Sequence, residues 1–184
     1  MYPYFCNKNE TTNNLEYTQN LNNENDYNSQ KHFNEIKQNI KTTDFDNEED
    51  FRQYVIDALK EAIKEQDENA KYYEKLYNMA QDEKEKDIIR QIYLNELKYK
   101  KIFMEIYKMI TGEDANIQES KVDIDGSFIE ELYDSIEEQL EDLEFYRMLM
   151  SVFADLPIRD MIYEVIVGKQ KHAQQLSNIY NKYR

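Results

Sequence analysis

The sequence is poor in turn-making residues, with only 3 glycines and 2 prolines among 184 residues. A β-rich chain needs such residues at many turns, so their scarcity argues against a sandwich or barrel and for long uninterrupted helices. Tryptophan is absent, and the single cysteine, Cys6, can close no intramolecular disulfide and build no four-cysteine metal centre. It reads as an ordinary free thiol. No apolar run approaches the roughly 18 residues that would suggest a spanning helix. The opening Met1-Tyr2-Pro3-Tyr4-Phe5-Cys6 has neither the basic start nor the apolar stretch of a secretory leader. Acids outnumber bases, 38 Asp and Glu to 23 Lys and Arg, and the formal net charge of -15 repels phosphate backbones and anionic lipid surfaces. These absences lead to the expectation of a cytoplasmic, all-α, single-domain protein that binds neither nucleic acid nor membrane.

What is present divides the chain in two. Residues 1–46 are dominated by Asn, Thr, Gln, Lys and Glu with scattered aromatics, a composition expected to leave them as a disordered Asn-rich tail. Phe33, Ile36 and Ile40 recur at helical spacing there, enough for a marginal helical turn. From residue 47 to 184, apolar residues recur at alternating steps of four and three, the buried stripe of a bundle helix. Four such stripes are legible. The first carries Val55, Leu59, Ala62, Tyr73, Leu76 and Ala80, and the second Ile89, Ile92, Phe103, Ile106 and Ile110, stopping at Thr111-Gly112 where glycine can take the left-handed conformation. The third opens at Ser127 as N-cap and carries Phe128, Leu132, Tyr146, Leu149 and Phe153. The fourth starts between Asp155 and Ile158, with Pro157 tolerated in its first turn, and carries Ile162, Val165, Leu176, Ile179 and Tyr183.

The stripes repeat. Adding 73 to each position of the first gives the third, and adding 73 to the second gives the fourth, with no gap and with identities that include Glu65/Glu138, Gln66/Gln139, Tyr73/Tyr146, Ile89/Ile162 and Ile106/Ile179. A shared heptad would align stripes but not the connections and polar identities as well, so the chain is read as a duplicated helical hairpin. The connections near Gln81-Asp82 and Asp155-Leu156 are short enough only for antiparallel neighbours. The segment between the second and third helices, about fifteen residues, can extend to roughly 50 Å, enough to cross the length of a bundle.

All four stripes are interrupted at one height: by Gln66 and Asn69, Glu96 and Tyr99, Gln139 and Asp142, and Lys169 and His172. Polar side chains in a bundle centre cost free energy unless paired, so this layer implies a network, a metal or a ligand. Glu96, Asp142 and His172 could make a mononuclear site suited to Zn, Mn or Fe; the competing reading is a satisfied hydrogen-bonded network. Gly168, mid-helix beside Lys169, points to a close approach or a local π-bulge. The outer acids Glu137, Glu138 and Glu141 are expected to be solvated.

The segment Glu96-Leu97-Lys98-Tyr99-Lys100-Lys101-Ile102-Phe103-Met104-Glu105-Ile106-Tyr107, ending Ile110-Thr111-Gly112, resembles the second helix of rubrerythrin-type ferritin-like proteins. The resemblance extends over the whole bundle and implies a ferritin-like four-helix bundle, two duplicated antiparallel hairpins joined by a long crossover. It also implies a di-iron site with one Glu from each of two helices and a Glu-x-x-His from each of the others. Carried over, the six ligand positions are Gln66, Glu96, Tyr99, Gln139, Lys169 and His172. Only Glu96 and His172 keep the family's residue type, and the other histidine, His32, lies in the tail. A register one residue earlier would bring Glu65 and Glu138 to the glutamine positions, rotated by about 100° from the stripe. The resemblance therefore implies a degenerate site with no cofactor in a non-catalytic structural or interaction protein. The alternative is an iron-binding, rubrerythrin-like oxidoreductase reducing peroxide or oxygen with an unusual ligand set. Its partners would be an unidentified protein or a second copy, with Tyr72 and Phe145 as exposed aromatics for self-association.

Overall fold

The computed structural model describes residues 48–118 and 120–184, so the expected tail, with Cys6, His32 and the Phe33–Ile40 stretch, lies outside the described residues. Among the described residues there are four helices and no strand: α1 (Glu48–Met79), α2 (Glu83–Thr111), α3 (Phe128–Ser151) and α4 (Leu156–Tyr180). None is long and apolar enough to cross a membrane.

The helix ends follow local chemistry. Asp82 caps α2 by accepting from the amides of Lys84 and Glu85, and Gly112 ends it at φ 76°, where a side chain would strain the backbone. Ser127 and Glu130 form a reciprocal capping box at the start of α3. Asp155 caps α4 through the Ile158 amide, leaving Pro157 in the first turn where no backbone donor is needed.

The apolar stripes meet in two clusters. One holds Phe51, Val55, Leu59, Phe103, Ile106, Leu149, Phe153, Ile158 and Ile162. The other holds Tyr73, Leu76, Ile89, Ile92, Leu132, Leu176 and Ile179. Burying each large apolar side chain contributes roughly 1.5–3 kcal/mol, so the two clusters carry most of the drive to fold. Their membership also fixes the directions. α1 and α4 start in the first cluster and end in the second, whereas α2 and α3 run the other way. Each hairpin is antiparallel, α1 opposes α3, and α2 runs parallel to α3. A parallel pair cannot be joined by a tight turn, and the link 112–127 solves this by crossing the bundle: Ala115 and Ile117 pack on the first cluster and Ile124 on the second. On the way, Lys71 Nζ donates to the Ser120 carbonyl at 3.0 Å and Lys75 Nζ to that of Val122. The link therefore lies over α1.

Two expectations about the surface need correction. Tyr72 and Phe145 are half-buried: the Tyr72 hydroxyl donates to Glu131 and accepts from Ser135, and Phe145 packs edge-on against Tyr146. Neither stands out as an exposed aromatic.

Candidate functional site

Between the two clusters the helices bring their polar residues together. Gln66, Asn69, Glu96, Gln139, Asp142, Lys169 and His172 are all buried, and Tyr99 is 4% exposed. The repeat makes this unavoidable. Residues 96 and 169 are 73 apart and meet at the pseudo-two-fold axis between the hairpins, so an unmodified duplication would place two glutamates against each other, and like charges at such range cannot both ionise unless a cation joins them.

Lys169 supplies that cation. Its Nζ lies 2.7 Å from Glu96 Oε2 and 2.8 Å from Asp142 Oδ2. With the Asn69 amide turned so that its oxygen faces the ammonium, it accepts from Nζ at 3.2 Å, while its nitrogen donates to Glu138 Oε1 at 3.2 Å. The three N–H donors of the ammonium thus have three acceptors, which is what lets a buried charge persist. Burial pulls the Lys169 pKa down, but Glu96 and Asp142 together hold it above its ordinary value.

His172 is fixed on both sides. Asn95 Nδ2 lies 3.0 Å from Nε2, so this ring nitrogen accepts, and the proton sits on Nδ1, which faces Glu96 Oε1 at 3.1 Å and Gln139 Oε1 at 3.2 Å. In this arrangement neither ring nitrogen offers a free lone pair. Tyr99, at the equivalent position of the first hairpin, stacks on His172 with ring centroids 5.8 Å apart. The repeat also pairs Asn95 with Gly168. Where His172 meets Asn95, the longer phenol of Tyr99 meets Gly168, and a Cβ there would lie 1.7 Å from the Tyr99 hydroxyl. Gly168 therefore serves a close approach, and α4 runs through it as regular α-helix without a π-bulge.

Sequence reasoning missed how far the acids beside the stripe reach inward. Glu138 is half-buried rather than solvated, whereas Glu137 and Glu141 are exposed as expected. Burial, then the charge of Asp142, pushes the Glu138 carboxyl up to about 7. Burial, then a hydrogen bond with Asp142, pushes the Glu65 carboxyl up to about 9. Glu65 Oε2 also accepts from the Tyr146 hydroxyl at 2.5 Å, which in turn accepts from Gln66 Nε2 at 2.5 Å. The matched pair Glu65/Glu138 in the repeat was the available signal. For Asn95 it was the counterpart glycine. Three buried atoms, Gln66 Oε1, Tyr73 OH and Gln139 Nε2, have no protein partner.

A di-iron site does not fit these residues. Of the six positions that the resemblance implies as ligands, one holds an ammonium, another a phenol and two hold amides. Among the described residues, no three His, Cys, Asp or Glu side chains form a group that could hold a metal ion. Glu96, Asp142 and His172 approach one another, but Lys169 Nζ lies between the two carboxylates where a cation would be held. Comparison with family models, curated proteins and solved structures gives no match.

Proposed function

We propose that this chain is a ferritin-like, rubrerythrin-related bundle in which a buried ion pair has replaced the di-iron site, and that it acts as a structural or interaction protein rather than as a redox catalyst. The observation that carries this reading is Lys169, at a family ligand position, bridging Glu96 and Asp142. A site of four carboxylates needs two divalent ions for neutrality, whereas the carboxylates here are answered by one fixed ammonium. Chemistry at this layer would also need a nucleophile, an oxyanion site or an open lone pair, and the imidazole of His172 is held between Asn95 and Glu96. A second reading, a metal-dependent oxidoreductase, draws on Glu65 and Glu138, which bring two further carboxyls to the edge of the layer.

The experiment that separates them is metal content. Purified protein is loaded anaerobically with excess ferrous iron, desalted and assayed for iron per chain. The proposal expects iron far below one per chain. Near-stoichiometric iron sinks it in favour of the oxidoreductase.

A further inference from the structure

The outer face of α3 is dressed differently from that of its repeat, α1. α3 leaves Ile129, Tyr133, Leu140 and Met148 40%, 50%, 45% and 44% exposed. The positions 73 residues earlier are the half-buried Ile56 and then Lys60, Asp67 and Lys75. The charges invert as well: Lys64 and Lys71 on α1 correspond to Glu137 and Glu144 on α3, and Glu137, Glu141 and Glu144 have no cationic partner among the described residues.

On α1 the reason for this dressing is visible, because the link 112–127 lies over it. The link is acidic, with five acids against one lysine, net -4, and Lys71 and Lys75 grip its carbonyls. The link is the segment that precedes the second hairpin and covers the first. The link enters α3 beside the end of α1, and in the same way the chain before Glu48 enters α1 beside the end of α3, where Tyr54 meets Met148. The face of α3 that this entry adjoins is apolar and acidic.

We infer that residues 31–41 of this same chain dock on the outer face of α3. Their sequence, Lys31-His32-Phe33-Asn34-Glu35-Ile36-Lys37-Gln38-Asn39-Ile40-Lys41, carries three lysines against one glutamate, net +2. It also carries Phe33, Ile36 and Ile40 at the i, i+3, i+7 spacing that places apolar anchors on one side of a helix. The face it meets offers Tyr133, Leu140 and Met148 as apolar contacts and Glu137, Glu141 and Glu144 as counter-charges. The reach is sufficient. Residues 42–47 can span about 20 Å, and Met148 Sδ is 3.6 Å from the hydroxyl of Tyr54, six residues and about 9 Å of helical rise from Glu48. An isolated stretch of eleven residues is too short to hold a helix in water, and the apolar face of α3 supplies the packing it lacks. A second copy is the weaker occupant, since it would set the acids of one α3 against those of another. No residue of the buried polar layer takes part, so this contact stands or falls apart from the metal question.

The test uses the full chain with a benzophenone side chain in place of Leu140, irradiated, digested and mapped by mass spectrometry. The expected product has monomer mass and joins position 140 to residues 31–41. Reversing the three charges, Lys31→Glu, Lys37→Glu and Lys41→Glu, should lower the yield about tenfold, the scale of several exposed ion pairs acting together. Adding Glu137→Lys, Glu141→Lys and Glu144→Lys should restore it. A helical spectrum unchanged from the parent confirms that each variant is folded. Cross-links to a second copy, to residues 1–30 alone or to nothing overturn the inference, as does a yield that ignores charge reversal.

Discussion

At position 96 the first hairpin places a carboxylate, and at the equivalent position 169 the second places an ammonium; Tyr99 and His172, and Asn95 and Gly168, differ across the same axis. Several apolar positions around them are identical, since Tyr73 and Tyr146, Leu76 and Leu149, and Ile89 and Ile162 occupy matching places with at most 1% exposure, and others keep their apolar character, as Phe103 and Leu176 do. The contrast shows two separate constraints on one repeat. Packing against a shared core holds the apolar residues alike in both halves. Electrostatics acts where residues 96 and 169 meet, since a second acid at 169 would repel Glu96 and the ammonium does not.

The largest effect is expected from restoring electrical symmetry without supplying a cation. Lys169→Met should leave Glu96 and Asp142 buried and unpaired, costing roughly 3–5 kcal/mol of unfolding free energy in urea denaturation. Adding Glu96→Gln and Asp142→Asn should recover most of that loss, since no buried charge then remains. A loss below about 1 kcal/mol would mean that water reaches the pair.

Next is the steric half of the asymmetry. Gly168→Ala drives a methyl into the Tyr99 ring and should cost about 1–3 kcal/mol. Tyr99→His, which makes the first hairpin like the second, should relieve it. At the counterpart position Asn95→Ala removes one hydrogen bond to His172 and should cost about 1 kcal/mol.

A pH series examines Glu65 and Glu138, which are alike in sequence but differently placed. Both folded pKa values, about 9 and about 7, are raised above the ordinary 4.5, so the folded state holds protons that the unfolded chain has released. Their contribution is complete below about 4.5 and is lost as pH rises, through about 7 for Glu138 and about 9 for Glu65. Unfolding free energy should therefore fall from pH 5 to 9, by at most about 1.4 kcal/mol per pH unit for each group. Glu138→Gln should reduce the slope only below 7, whereas Glu65→Gln should reduce it below 7 and remove it between 7 and 9. Stability that rises across this range would contradict the placement of both groups.

The smallest effect concerns the outer faces. Asp67→Leu gives α1 the residue that α3 carries at Leu140 and breaks the pairs with Lys71 and Lys100 at 2.6 and 2.7 Å. Those side chains are partly exposed, so the cost by thermal or chemical denaturation should stay within about 1 kcal/mol.

The stripes and helix ends were legible in the sequence because each rests on spacing alone: Ser127, Gly112 and Pro157 sit where helix ends require them. The polar layer was legible as a set, including Lys169 among the acids, because four interruptions at one height cannot be accidental. Glu138 was misread because a residue 100° off the stripe counts as solvated on a lone helix, whereas in a bundle that direction faces the neighbouring helix and a long carboxylate reaches back. The full exposure expected of Tyr72 and Phe145 failed for the same reason. Hydrogen-bond partners such as Asn95 depend on which helices adjoin, information that periodicity does not carry.

If the Lys169 ammonium stands in for a metal pair, as proposed, then replacing it with the missing ligands should convert one into the other. The combined variant Gln66→Glu, Tyr99→His, Gln139→Glu and Lys169→Glu carries six family-type ligands, and ferrous iron is titrated into it and into the unmodified protein under anaerobic calorimetry. The account predicts two irons bound by the variant and none by the parent. Tight binding of two irons by the unmodified protein, with Lys169 in place, would contradict it.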